Sequence, residues 1–379
     1  MPPPATSWEQ LSSLYDGFIF DQFGVMHNGA TALDGAPALV ARLAAAGKKL
    51  GILSNSSKRK EWTLRELPKL GFSAEHFVAA AVTTSGEEAW HALGAQWRGK
   101  ACVWLSKKDG DGVSDYLDGT GVGLADVERA DFLLASGTNV VRDGASVQAV
   151  DCEQSGDLAP FAPLFARAIA RGLPMVCTNP DFVSPPKPGK ATTYQVRSPP
   201  PRSSPDLARP TLASSGLRLP TYQPGHLAAH YEKLGGPVVY YGKPHREHFE
   251  ACVAGLVEAA VYTVGLAPAY TTALPASAAR RLGPPPSIKP RPFNQKVAGL
   301  GLPKERVAHI GDSIHHDVAG AAGAAVPVVF IAGGIEHEAL GIEPSELPAP
   351  EAVRRLCEGH GTQPPTHTAA LVRWDAPVM

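Results

Sequence analysis

Several short apolar runs in this 379-residue chain end on residues that can do chemistry. The run FIFD closes on Asp21 and is followed by Gln22-Phe23-Gly24. KLGIL leads into Ser54-Asn55-Ser56-Ser57, and VVYY leads into Gly242-Lys243-Pro244-His245. VAHI leads into Gly311-Asp312-Ser313, with Asp317 a helical turn further on. In open α/β sheets, ligands gather where strands end. Carboxylates hold a hard divalent cation such as Mg2+, lysine neutralises phosphate oxygens, and hydroxyls with helix-start N–H groups cradle them. Asp21, Ser54, Lys243, Asp312 and Asp317 in one pocket would suit a phosphate group and a hard cation.

Each residue alone has a plainer explanation. Ser54 and Asn55 can cap the helix that follows. A single lysine is usually a solvated surface residue. Asp312 fits a turn, and Asp317 can cap or stiffen the next helix. His27, His245, His315 and His316 read as structural or solvent-facing, although their near-neutral titration suits proton transfer. It is the joint occurrence of strand-end acids, hydroxyls and a lysine that favours chemistry.

The elements that must position these residues alternate. Eight apolar runs are expected as strands: Phe18–Asp21, Lys49–Leu53, Ala101–Leu105, Asp131–Ala135, Pro174–Thr178, Pro237–Tyr241, Val307–Gly311 and Pro327–Ile331. They are continuous rather than alternating, as parallel strands covered on both faces are. Helices are expected over Ala36–Ala46, Glu61–Leu70, Gly86–Leu93, Phe161–Arg171, Arg246–Ala259 and His316–Ala325. The pattern predicts α/β architecture with right-handed crossovers. Two proline-rich stretches, Val196–Thr221 and about 261–295, fit neither period and read as loops or disordered insertions.

Composition narrows the class. The chain is long enough for two domains, and its 44% hydrophobic content is ordinary for a globular protein. A formal net charge of -1 gives no electrostatic case for nucleic acid or an anionic membrane. Five scattered cysteines, never spaced as CxxC, argue against a disulfide framework or zinc site and fit a reducing compartment. No secretion signal or membrane-spanning run is evident, so a cytoplasmic protein is the expectation.

Four segments, in order, resemble the motifs of the haloacid dehalogenase-like (HAD) hydrolase superfamily: DQFGVMHNG, LSNSS, GKPH and GDSIHHD. The long gap between Ser54 and Lys243 resembles subfamily IIA, the nitrophenyl-phosphatase- and pyridoxal-phosphatase-like group, which carries a cap inserted between the second and third motifs. TNPD, from Thr178 to Asp181, resembles part of that cap. VVFIAGGIEHEALG and ALVRW resemble a poorly characterised branch found in bacteria and plants. The resemblance implies a Rossmann-like parallel-sheet core over 1–83 and 236–379, with an inserted α/β cap over 84–235. It also implies an Mg2+-dependent phosphohydrolase of a small phosphorylated metabolite, and it allows a homodimer formed through the cap.

Carried over motif by motif, Asp21 is the nucleophile that becomes an aspartyl-phosphate. Ser54, Asn55 and Lys243 bind the phosphoryl group. Asp21, Asp312 and the backbone carbonyl of Phe23 hold the metal, and Asp317 supports the metal shell. Asp181 is either a turn residue of the cap or part of substrate recognition.

One position departs from the superfamily pattern. Its phosphatases usually carry a second aspartate two residues after the nucleophile, which protonates the leaving alcohol and deprotonates the attacking water. Phe23 stands there and can do neither. The expectation is a slow enzyme, or one restricted to good leaving groups. The alternative is a binding or regulatory protein that keeps the site. The Phe23 side chain is either a core aromatic, the preferred reading, or a platform for an apolar part of the substrate.

Overall fold

The computed structural model describes residues 7–107, 116–184, 221–263 and 302–379. Apart from Thr221 and residues 261–263, both proline-rich stretches lie outside the described residues. The chain divides into two compact units. One comprises the residues up to His27, Ala32–Glu88 and Tyr241 onward; the other comprises Asn28–Thr31 and Ala89–Tyr240.

The first unit is built on a six-stranded sheet: β1 (Gly17–Phe20), β2 (Lys49–Ser54), β3 (Phe77–Thr84), β13 (Val307–Gly311), β14 (Val328–Ile331) and β15 (His367–Ala369). Its order is β15-β14-β13-β1-β2-β3, and every neighbouring pair is parallel. Side chains from one strand divide between two cores. Phe18 and Phe20 join Leu50, Ile52 and Ile310 on one face, with Leu39, Val40 and Leu43 of the helix Ala36–Ala45. Ile19 joins Leu53, Val307 and Phe330 on the other, with Phe249, Cys252 and Leu256 of the helix Arg246–Thr263. A strand buried on both faces must be apolar at every position, which is why these runs do not alternate.

The sheet order creates the kind of crevice in which open α/β sheets bind ligands. From β1 the chain builds outward through β2 and β3, then returns to lay β13, β14 and β15 on β1's other side. The crevice beyond the carboxyl ends of β1 and β13 is therefore a topological switch point. Asp21 follows one of these strands and Asp312 the other.

The second unit has a seven-stranded sheet of mixed direction. β4 (Ala101–Ser106), β6 (Phe132–Ala135), β9 (Met175–Cys177) and β12 (Val238–Tyr240) are parallel, and β5 (Gly123–Leu124) pairs with the start of β4. β7 (Val140–Asp143) and β8 (Ser146–Ala149) form an antiparallel hairpin on the other side of β4. A small ribbon joins β10 (Val183–Ser184) to β11 (Thr221–Tyr222). Its core includes Val103, Leu133, Met175, Phe165 and Tyr231.

All eight expected strands are present, with ends shifted by at most one residue. The division differs from the expected one in three places, the first being Asn28–Thr31, which groups with the second unit. β12 hydrogen-bonds to β9, so the second unit runs to Tyr240 rather than to 235. The helix Ser85–Gln96 begins inside the first unit, which extends to Glu88 rather than to 83. The helix expected over His316–Ala325 starts instead as a π turn, Ile314–Val318, before Ala319–Ala324. Among the described residues no helix is long and apolar enough to cross a membrane.

Candidate active site

Asp21 is set by the strand before it and the turn after it. Its N–H donates to the carbonyl of Ile310 on β13 (2.8 Å), continuing the parallel ladder one residue beyond β1. The chain then doubles back, with the N–H groups of Met26 and His27 donating to the carbonyl of Gln22 (2.8 and 3.1 Å). Gly24 makes this turn with φ 78°, where other residues are strained. A Cβ on Gly24 would also fall 1.8 Å from Asp312 Oδ2. The two acids therefore approach across a backbone with no side chain between them.

Lys243 joins the acids. It is 2% exposed, and its Nζ lies 2.8 Å from Asp21 Oδ1 and 2.7 Å from Asp317 Oδ1. Asn55 fixes the lysine's backbone at two points. Its Oδ1 accepts from Lys243 N–H (2.7 Å), and its Nδ2 donates to the Lys243 carbonyl (3.2 Å). The Asn55 side chain thus ties the end of β2 to the lysine loop. Ser54 is buried at the same strand end, and its Oγ accepts from the N–H of Ser56 (3.4 Å).

The π turn explains the placement of Asp317. Ser313 Oγ accepts from His316 N–H (3.1 Å), capping the turn. The wider turn sets Asp317 against β13, where its Oδ2 accepts from Ser313 N–H (3.0 Å) and its Oδ1 meets His309 Nε2 (2.8 Å). Such π insertions recur at functional sites. A Cβ on Gly311 would stand 2.1 Å from Asp317 Cγ, so this approach also needs glycine. Asp312 is buried, and its Oδ2 accepts from Ile335 N–H (3.0 Å).

The three acids repel one another. Oxygens of Asp21, Asp312 and Asp317 lie within 4.8 Å of one another. Burial pushes Asp21 up to about 6; Lys243 opposes this and Asp317 reinforces it. Burial, then Asp21 and Asp317, push Asp312 well above the usual carboxylate range. Burial works against the charge of Asp317 too, but Lys243 and His309 outweigh it and hold its carboxyl below that range. Burial likewise opposes the charge on Lys243, yet Asp21 and Asp317 keep its affinity for the proton above normal. One lysine does not balance three carboxylates. A divalent cation on Asp21 and Asp312 would relieve what Lys243 leaves, and the all-oxygen donor set fits a hard one.

Phe23 is half-buried, not a core side chain, and its ring meets His27 edge to face (6.3 Å, 89°). The glycine turn turns this side chain out of the cores on both sheet faces. Burial and Lys243 push His316 down to about 4, so its ring is neutral near pH 7. Asp181 belongs to the second unit, where its N–H donates to Asn179 Oδ1 (2.9 Å). The sequence reading passed over His309, which holds Asp317. Its signal was a histidine inside the apolar strand VAHIG.

A sequence model described as haloacid dehalogenase-like hydrolase matches residues 18–123, and one described as HAD-hydrolase-like matches 240–358. A glycerol-3-phosphate phosphatase of Gallus gallus is 48% identical over 58 residues, which are 15% of this chain and 19% of that protein's length. Two solved structures share the fold. A haloacid dehalogenase-like hydrolase from Brucella suis has TM-score 0.58 at 21% identity, covering 92% of this chain and 96% of its own. A possible sugar phosphatase of the HAD superfamily from Cytophaga hutchinsonii has TM-score 0.59 at 16% identity, covering 97% of both chains. Matched by two such models over residues 18–123 and 240–358, the chain belongs to the haloacid dehalogenase-like hydrolase superfamily.

Proposed function

We propose that this protein is an Mg2+-dependent phosphohydrolase acting on a small phosphorylated metabolite through an aspartyl-phosphate. The observation that carries this reading is the chain Asp21–Lys243–Asp317, with Asp312 close enough to share a cation with Asp21. Asp21 Oδ1 is held by Gln22 N–H (2.7 Å) and Lys243, which orients the carboxylate for in-line attack. A carboxylate oxygen of Asp21 forms a bond to phosphorus as the bond to the leaving oxygen breaks. Water then attacks the aspartyl-phosphate, releasing phosphate and restoring Asp21. Lys243 and the Ser54 hydroxyl offset charge on the transferring group. Asp21, Asp312 and the Phe23 carbonyl would hold Mg2+, which when bound adds positive charge against the phosphate oxygens. Asp317 keeps Lys243 charged and in place.

Phe23 sets the limit. It offers no proton to the leaving oxygen and takes none from the attacking water, help worth roughly 10²–10⁴ in rate. Aryl, acyl and enol phosphates, whose leaving groups need little protonation, are the favoured substrates. Two relatives name phosphorylated compounds: the Gallus gallus protein by glycerol 3-phosphate and the Cytophaga hutchinsonii protein by sugar phosphates. Phe23 also motivates a second reading, a phosphate-binding or regulatory protein without useful turnover.

The deciding experiment compares one aryl phosphate with several alkyl phosphates in Mg2+, with Asp21→Asn as control. Aryl phosphatase activity that vanishes in Asp21→Asn supports the enzyme, and Phe23→Asp should then extend it to alkyl esters. Wild-type activity no higher than that of Asp21→Asn on every ester, with phosphate still bound, moves the reading to the regulatory protein.

A further inference from the structure

The loop after β2 is held by the segment in which the chain leaves the first unit. Thr84 Oγ1 donates to the carbonyl of Lys58 (2.6 Å). Ser85 Oγ and Gly86 N–H both donate to the carbonyl of Ser56 (3.1 and 2.9 Å). Glu87 accepts from Lys60 N–H (3.3 Å) and pairs with Arg59. A Cβ on Gly86 would stand 2.1 Å from the carbonyl oxygen of Ser57, so the approach needs glycine.

Ser54 is held by a different device. Its carbonyl oxygen faces Nε2 of His248 at 3.4 Å, and Nδ1 of the same ring lies 2.6 Å from Glu88 Oε2. His248 is 1% exposed and sits in the first turn of the helix Arg246–Thr263. Neither His248 nor Glu88 belongs to the carboxylate cluster, and the proposed chemistry uses neither. The carboxylate and the carbonyl can only accept, so a ring that holds both needs a proton on each nitrogen, a form whose charge the Glu88 carboxylate matches.

The carbonyl of Ser54 is a telling point to hold. It belongs to the peptide that joins Ser54 to Asn55. One end of that peptide carries the Ser54 hydroxyl; the other carries the side chain that fixes Lys243. The peptide is planar and trans, so a carbonyl turned toward His248 sets the Asn55 N–H in the opposite direction. We infer that His248, oriented by Glu88, is a positioning residue for phosphate binding: it holds the Ser54–Asn55 peptide so that the Ser54 hydroxyl and Asn55 N–H are presented together to the phosphoryl group. This rests on the phosphohydrolase reading and adds to it a pair of residues outside the four motifs.

The test uses the full chain with Mg2+ and inorganic phosphate as the probe, read by calorimetry, beside aryl phosphate turnover. Asparagine can place its amide nitrogen near Nδ1 of the lost ring, whereas glutamine reaches the position of Nε2. His248→Gln keeps a donor for the Ser54 carbonyl and should bind phosphate within about twofold of wild type. His248→Asn loses that donor and should bind about tenfold more weakly, with a similar fall in kcat/KM. Glu88→Gln added to His248→Asn should cost nothing further, because the two act as a unit. A merely structural ring would make the Asn and Gln variants equal in phosphate affinity, since both lose it, and that result overturns the inference. If wild type binds phosphate without turnover, the comparison still decides the role of His248 while the catalytic reading falls. If wild type binds no phosphate, both fall.

Discussion

Replacing Asp312 with asparagine should stabilise the metal-free protein and remove its response to Mg2+. In the metal-free site, Asp312 is buried with oxygens of Asp21 and Asp317 within 4.8 Å. At that distance and an effective dielectric of ~20, each like-charge pair costs about 3 kcal/mol where both members are ionised, before Lys243 offsets part of it. Asparagine has nearly the same shape and can still accept from Ile335 N–H, though a neutral acceptor gives up about 1 kcal/mol. The net expectation is a gain of about 1–2 kcal/mol in EDTA. In wild type, Mg2+ at a hundred times its Kd adds about 2.7 kcal/mol, and the variant should lose most of this. Scanning calorimetry in EDTA and in Mg2+ reads both effects, with roughly 2–4 °C expected per kcal/mol. The pH dependence has a defined sign. Asp21 and Asp312 have folded-state affinities for the proton above normal, so the unfolded chain releases theirs first as pH rises. Metal-free wild type should therefore lose stability between about pH 4 and 6 and beyond, and Asp312→Asn should flatten that loss. A variant less stable than wild type in EDTA, yet equally stabilised by Mg2+, would refute the placement of Asp312 as a strained metal ligand.

Three further outcomes follow from the same geometry. Gly24→Ala puts a Cβ 1.8 Å from Asp312 Oδ2 at φ 78°, so Mg2+ affinity should fall at least tenfold; an unchanged calorimetric Kd would contradict this close approach. Asn55→Ala removes both bonds to the Lys243 backbone and should cost about 1–3 kcal/mol in a urea titration and lower kcat/KM for aryl phosphate; unchanged stability and activity would show that the two-point tie is dispensable. His367 is buried with Nε2 on Tyr15 Oη (3.0 Å), and burial lowers its affinity for the proton. The unfolded chain therefore takes up this proton first as pH falls, so the contribution of His367 is present above about pH 6.5 and is lost below it. The fall in urea midpoint from pH 7.5 to 5.5 should be smaller in His367→Asn, and an equal fall in both proteins would assign the effect to other groups.

Much of the first unit was legible because two-sided burial leaves a local mark. A parallel strand covered on both faces must be apolar at every position, and Phe18–Phe20 or Val328–Ile331 needs no partner to reveal it. β3 was missed because Ala79 and Ala80 are exposed and small, and β15 because His367 and Thr368 break the apolar run that marks the other strands. The hairpin β7–β8 leaves little signal, since Ser146–Ala149 is exposed throughout.

From the sequence alone came the identity of the acids, lysine and hydroxyls at strand ends, a property of residue type and spacing. The order of the motifs and the phenylalanine at position 23 in place of a second acid are legible only against the family pattern that the chain resembles. Only the tertiary structure decided which strands flank the switch point, that three carboxylates meet one lysine, and that His309 holds Asp317 from within β13. It also decided that Phe23 lies against His27 rather than in either core. Those outcomes depend on distances between residues as far apart in the chain as Asp21 and Asp312, and on burial that strengthens charges once water is excluded. A local pattern carries neither quantity.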